Sequence, residues 1–199
     1  MFPETIQNFV KQLSKLPDIG PRAATRLAFY LINQNQEELE KLSESIKNLK
    51  RKVHLCSQCF NIANKENNSC SICSNSQRDK SIICVVEAIL NIPPIEKTRQ
   101  FTGLYHVLGG LISPGNGLGP ENLKIDELIK RIKNSNPSVK EIIFALSPST
   151  EGDTTFLYIE RMIKPLNIKT SRLARGLSLG SDLEYIDEST LSSAFRGRR

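Results

Sequence analysis

The sequence predicts a multi-domain protein, α-helical at its N-terminus and α/β later, with a four-cysteine module between the two. Three observations carry this. Apolar residues recur at helical spacing over residues 4–52, two Cys-x-x-Cys pairs follow at Cys56/Cys59 and Cys70/Cys73, and short apolar runs then alternate with helical patterns. Such alternation favours a sheet of mostly parallel strands. The 199 residues have room for one large domain or two to three small ones. The expected boundaries are 1–52 for a helical domain, 53–77 for the cysteine module, 78–175 for the sheet domain and 176–199 for a short C-terminal segment.

In the first segment Ile6, Phe9, Val10 and Leu13 mark one face of a helix over residues 4–15. The stretch Leu16-Pro-Asp-Ile-Gly-Pro21 then breaks it. Pro17 ends the helix, Gly20 is expected to take a turn conformation closed to other residues, and Pro21 suits the first turn of a second helix to about Asn33. This is the form of a helix-hairpin-helix, which presents backbone amides and a helix N-terminus to a phosphate. Arg22 and Arg26, one turn apart, are candidates to flank it. An ordinary αα-hairpin with exposed arginines is the plainer alternative. Leu39, Leu42, Ile46 and Leu49 predict a third helix over 36–52, ending in the basic run Lys50-Arg51-Lys52.

Cys56-Ser-Gln-Cys59 and Cys70-Ser-Ile-Cys73 enclose ten residues too polar to bury a core. Four thiolates at this spacing suit a closed tetrahedral Zn²⁺ site, structural because no position stays open, with one ion per chain. Such a site contributes about 10–16 kcal/mol in small modules. Two disulfides or free thiols are the alternatives, but nothing else in the sequence suggests an oxidising compartment.

Ser81 to Glu87 holds five consecutive apolar residues and reads as a strand covered on both faces. Cys84 belongs inside it. Residues 88–98 read as a short helix interrupted by Pro93-Pro94, and Leu104 to Leu108 as a second strand whose His106 packs or hydrogen-bonds at its edge. Gly109 to Pro120, with five glycines and two prolines, reads as a surface excursion suited to partner contact. A helix over 125–133, a strand over 141–146, a helix over about 154–163 and a strand over 168–173 complete the alternation. Glu87, Glu151 and Asp153 each follow a strand's carboxyl end and are expected to converge on one edge, as a docking surface or a weak Mg²⁺ site. Solvated loop acids favoured by a helix dipole are the alternative.

Composition narrows the classes. Net charge is +6, compatible with a polyanionic partner. No apolar run approaches the ~20 residues needed to cross a bilayer, and the N-terminus lacks a signal-peptide pattern, so a cytoplasmic protein without membrane contact is expected. No GxxxxGK[ST] occurs, which argues against ATPase activity, and Leu183 to Glu188 reads as a structural strand.

The ordered set Leu16-Pro-Asp-Ile-Gly-Pro-Arg22, the four cysteines, Ile83-Cys-Val-Val-Glu87, Gly109–Pro120, Ser147-Pro-Ser-Thr-Glu-Gly-Asp153 and Arg172 to Tyr185 resembles the bacterial RecR family over essentially the whole chain. The resemblance implies that residues from about 79 onward form a Toprim domain. It implies a DNA-binding mediator of RecF-pathway repair that works with RecO and RecF to help load RecA on single-stranded DNA. Assembly as a homo-oligomeric ring, dimer or tetramer, is implied too. Gly20, Arg22 and Arg26 would touch DNA. Catalytic Toprim enzymes carry Asp-x-Asp where this chain has Glu151-Gly-Asp153. That departure favours a non-catalytic role over the alternative, a Mg²⁺-dependent Toprim nuclease or primase-like enzyme.

Overall fold

The computed structural model describes residues 2–177 and 180–198; Ser178 and Leu179 of the Arg172–Tyr185 stretch, and Arg199, lie outside the described residues. The chain divides into two compact units, residues 1–53 and 54–199.

The first unit holds α1 (Glu4–Leu13), α2 (Pro21–Ile32) and α3 (Gln36–Lys52). Asn35 caps α3 by accepting from the Glu38 amide at 2.8 Å. Only Ala24 and Ala28, both on α2, are buried among the helical residues of this unit. The residue that turns the hairpin is Asp18, with φ of +62°, and not Gly20, whose φ of −75° is ordinary extended backbone at the N-cap of α2. The expected glycine requirement at position 20 is therefore corrected. Asp tolerates the left-handed region better than most side chains, which explains its place in the turn.

β1 (Val53–Leu55), which starts at the last residue of the first unit, and β2 (Ile62–Asn64) form a small sheet that the apolar pattern does not announce. The four-residue helix α4 (Ser71–Ser74) carries the second cysteine pair. A four-stranded, wholly parallel sheet follows, in the order β4 (Gly103–Val107), β3 (Asp79–Val86), β5 (Glu141–Ala145), β6 (Lys169–Arg172). Successive residues of β3 face opposite sides. Ile83 and Val85 join Ile142 and Phe144 under Leu128, Ile132, Ile159 and Ile163 of α6 (Ile125–Lys133) and α7 (Thr150–Ile163). Cys84 and Val86 join Tyr105 and Val107 beneath Ile92 of α5 (Ile92–Lys97), with Phe60 and Ile72 of the cysteine module also packed there. Coverage on both faces is why β3 reads as an unbroken apolar run.

Three local expectations are corrected. Pro93 and Pro94 open α5 instead of interrupting it, since proline suits the first turn, where its missing N–H has no helical partner. Helix α7 starts at Thr150, four residues earlier than expected, because Ser149 Oγ accepts from the Gly152 amide at 3.1 Å. Leu183–Tyr185 is a single 3-10 turn, not a strand, and Asp187 then caps α8 (Glu188–Arg196) through the Thr190 amide at 2.9 Å.

Candidate functional site

The four predicted metal ligands come together. The Sγ atoms of Cys56, Cys59, Cys70 and Cys73 all lie within 4.8 Å of one another and all four residues are buried. Cys59 Sγ and Cys70 Sγ are 3.5 Å apart, near the ~3.8 Å edge of a tetrahedron with Zn–S bonds of ~2.3 Å. All five cysteines are free. The knuckles are built by backbone: the Cys56 amide donates to Asn61 O at 2.7 Å, and the Phe60 amide to Cys56 O at 3.0 Å. Phe60 takes a left-handed φ of +61° to close the first knuckle. Hydrogen bonding with Cys70 and Cys73, with burial, pushes the Cys59 thiol up, while hydrogen bonding with Cys59 and Cys73 pulls Cys70 down. A bound cation would hold all four as thiolates. The module is fixed to the sheet where the Val107 amide donates to Cys59 O at 2.9 Å.

Glu87, Glu151 and Asp153 do not form one metal-sized cluster. Among the described residues the four cysteines form the one group of three or more ligating side chains close enough to share a metal. Glu87 is held by Ser147, whose Oγ donates to Oε1 at 2.8 Å and whose amide donates to Oε2 at 3.2 Å. Asp153 accepts instead from the guanidinium groups of Arg172 and Arg175. Those arginines, Arg175 foremost, hold its carboxyl down at about 2. Arg172 also lies 4.5 Å over the Phe156 ring. The expected three-carboxylate edge is thus corrected to a Glu87/Glu151 pair lining one cavity and an Asp153 neutralised in an ion-pair network.

That cavity, of about 600 Å³, has Phe60, Ile89, Leu108, Leu111 and Leu118 among its lining with Glu87 and Glu151. The glycine loop forms part of its wall. It is tied to α7 by Thr155, whose buried Oγ1 accepts from the Ile112 amide at 2.8 Å and donates to Glu151 O at 2.7 Å. Gly152 permits the close turn: a Cβ there would sit 2.0 Å from Ser147 O. His106, expected at a strand edge, is fully buried. Its Nε2 bonds to Lys124 O at 2.7 Å, and burial pushes its pKa down to about 4. Sequence reasoning missed Ser147, Arg172 and Arg175 as partners of the acids. Serine and arginine are common enough that only the fold pairs them.

On the first unit, Arg22 and Arg26 are exposed on α2 and form no ion pair among the described residues. The Ala24 amide already bonds to Gly20 O at 2.9 Å, and the helix starts with Pro21 at N1.

A helical hairpin, a four-cysteine module and a parallel α/β sheet follow one another in this order along the chain. Residues 81–174 match the family model of the Toprim domain, residues 6–50 that of the RecR helix-hairpin-helix and residues 176–199 that of the RecR C-terminal segment. Recombination protein RecR of Chloroherpeton thalassium is 45% identical over 195 residues, covering 97% of this chain and 95% of the relative. Recombination protein RecR of Staphylococcus aureus (strain MRSA252) is 46% identical over 197 residues, covering 99% and 98%. The chain belongs to the RecR family.

Proposed function

We propose that this chain is a non-catalytic, DNA-binding mediator of RecF-pathway recombinational repair in the cytoplasm, working with RecO and RecF to help load RecA on single-stranded DNA. The observation that carries the non-catalytic part is the pairing of Asp153 with Arg172 and Arg175. It removes from metal binding one of the carboxylates a Toprim phosphoryl-transfer centre would use. The cysteine cluster holds one structural Zn²⁺. Glu87 and Glu151, beside an apolar cavity, form a docking edge for a basic partner such as RecO. The exposed apolar side chains of the helical unit support a homo-oligomer, in which a second copy covers them.

DNA contact is assigned to Gly20, Arg22 and Arg26. Contacts to phosphates carry no base information, so binding is independent of sequence and weakens with salt, log K falling against log[salt] by about 0.7 per phosphate on single strands and about 0.9 on duplex. The Arg22→Ala/Arg26→Ala variant should bind all sequences more weakly and with a shallower slope. Unchanged affinity and slope would remove the hairpin from the DNA site. Mg²⁺-dependent strand cleavage by purified protein, lost on Glu87→Ala, would establish the nuclease alternative instead.

A further inference from the structure

We propose that the cleft between the cysteine module and the end of α6 binds the phosphate backbone of single-stranded nucleic acid. The cleft, of about 510 Å³, is lined by Gln58 of the first knuckle, Lys80 of β3, and Lys130, Arg131, Asn134 and Asn136 at the end of α6. Three elements thus contribute a cation or an amide donor to one concavity. The one carboxylate lining it, Glu127, is paired with Lys124 at 3.1 Å, whereas Lys80, Lys130 and Arg131 form no ion pair among the described residues.

Arg131 is the most informative of the three. Its Nη1 donates to Tyr105 O at 2.6 Å, and its Nη2 is buried with no hydrogen-bond partner. A partly buried guanidinium without a counter-charge is costly, and an anion held in the adjacent cleft would offset that cost through space. Cations in the last turn of a helix often serve only its negative end. Here the carbonyls of Lys130, Arg131 and Ile132 already accept from the Asn134 amide at 3.1 Å, Ser135 Oγ at 2.6 Å and the Ser135 amide at 3.4 Å. Lys80 belongs to a strand and has no such duty. Phe60 also lines the cleft. A basic groove with an aromatic wall is the chemistry that holds single strands, by phosphate contact and base stacking. A free phosphate shares the first half of that chemistry, and the experiment separates the two.

This inference rests on the DNA-binding reading but places a second contact on the second unit. The full chain is titrated with a mixed-sequence single-stranded oligonucleotide at several salt concentrations, as wild type, Lys80→Ala/Lys130→Ala, Arg22→Ala/Arg26→Ala and the combined quadruple variant. Both lysines are exposed, so the melting temperature should not move. The Lys80/Lys130 variant should lose about tenfold in affinity near 0.1 M salt and about 1.4 in slope, the contribution of two phosphates. The quadruple variant should lose more than either double variant. Unchanged affinity and slope in the Lys80/Lys130 variant, with loss in the Arg22/Arg26 variant, overturns the cleft and leaves the hairpin standing. Loss only in the Lys80/Lys130 variant supports the cleft and overturns the hairpin. If inorganic phosphate binds saturably to wild type and not to the Lys80/Lys130 variant, while the two bind the strand equally, the cleft is a free-phosphate site and the nucleic-acid assignment falls.

Discussion

Arg172 donates to Asp153, joining the end of β6 to the first turn of α7, and Arg175 donates to the same carboxylate. The pair accounts for the lowered Asp153 pKa of about 2. Its stabilisation is fully present above the ordinary aspartate value of about 3.9 and is lost as pH falls from there through about 2. The Asp153 side chain is 43% exposed, so solvent screening limits the pair to about 1 kcal/mol. Asp153→Asn should therefore be destabilised by that amount from neutral pH down to about 4, with the gap closing towards pH 2. Denaturant unfolding of both proteins across that range checks it, and a gap that persists at pH 2 would contradict the assignment.

Gly152 sets the geometry of the acidic edge. A Cβ at this position would sit 2.0 Å from the Ser147 carbonyl oxygen, a backbone atom with little freedom to retreat. Gly152→Ala should cost about 1–3 kcal/mol, the range for forced overpacking. Because Ser147 also donates twice to Glu87, the same change should weaken binding of the basic partner proposed for this edge more than Glu151→Ala does, as read by titration with purified RecO. Equal stability to wild type would mean that the turn relaxes freely.

Much of this arrangement was legible in the sequence. The cysteine spacing points directly to the cluster, because ligand number and spacing are local properties. The unbroken apolar run Ile82 to Val86 gives a strand covered on both faces. The pairing of Asp153 is not legible in the sequence, because position after a strand says nothing about counter-charges brought from elsewhere. Arg172 and Arg175 lie 19 and 22 residues from Asp153, and no short-range pattern links them. The hairpin shows the complementary error, since glycine at position 20 suggested a turn that Asp18 makes.

The metal prediction is direct. Purified protein should contain about one Zn²⁺ per chain, and Cys70→Ala should lose it, because three thiolates leave the shell open. The variant should melt at lower temperature and aggregate, since Cys59 O also accepts from the Val107 amide and the module packs on the sheet. A strong chelator should lower the melting temperature of wild type towards that of the variant. Native protein without zinc by elemental analysis, with an unchanged melting curve for Cys70→Ala, refutes the site.

The last prediction concerns assembly. Helix α3 has no buried residue, and Leu42, Ile46 and Leu49 are 44%, 60% and 69% exposed. Their spacing of four and three residues puts them on one stripe. Fully burying a side chain of this size contributes about 1.5–3 kcal/mol, and the helices of unit 1 bury only Ala24 and Ala28. A second copy covering the stripe would supply the missing core. Ile46→Lys should therefore shift the solution mass from an oligomer towards the 22.3 kDa chain while leaving the zinc content unchanged. DNA affinity should fall with it, because hairpin contacts repeated around an assembly act together. Light scattering on wild type and variant decides the matter. A wild-type mass of one chain at micromolar concentration, or an Ile46→Lys mass equal to that of a wild-type oligomer, would show that this stripe is not the surface through which copies associate.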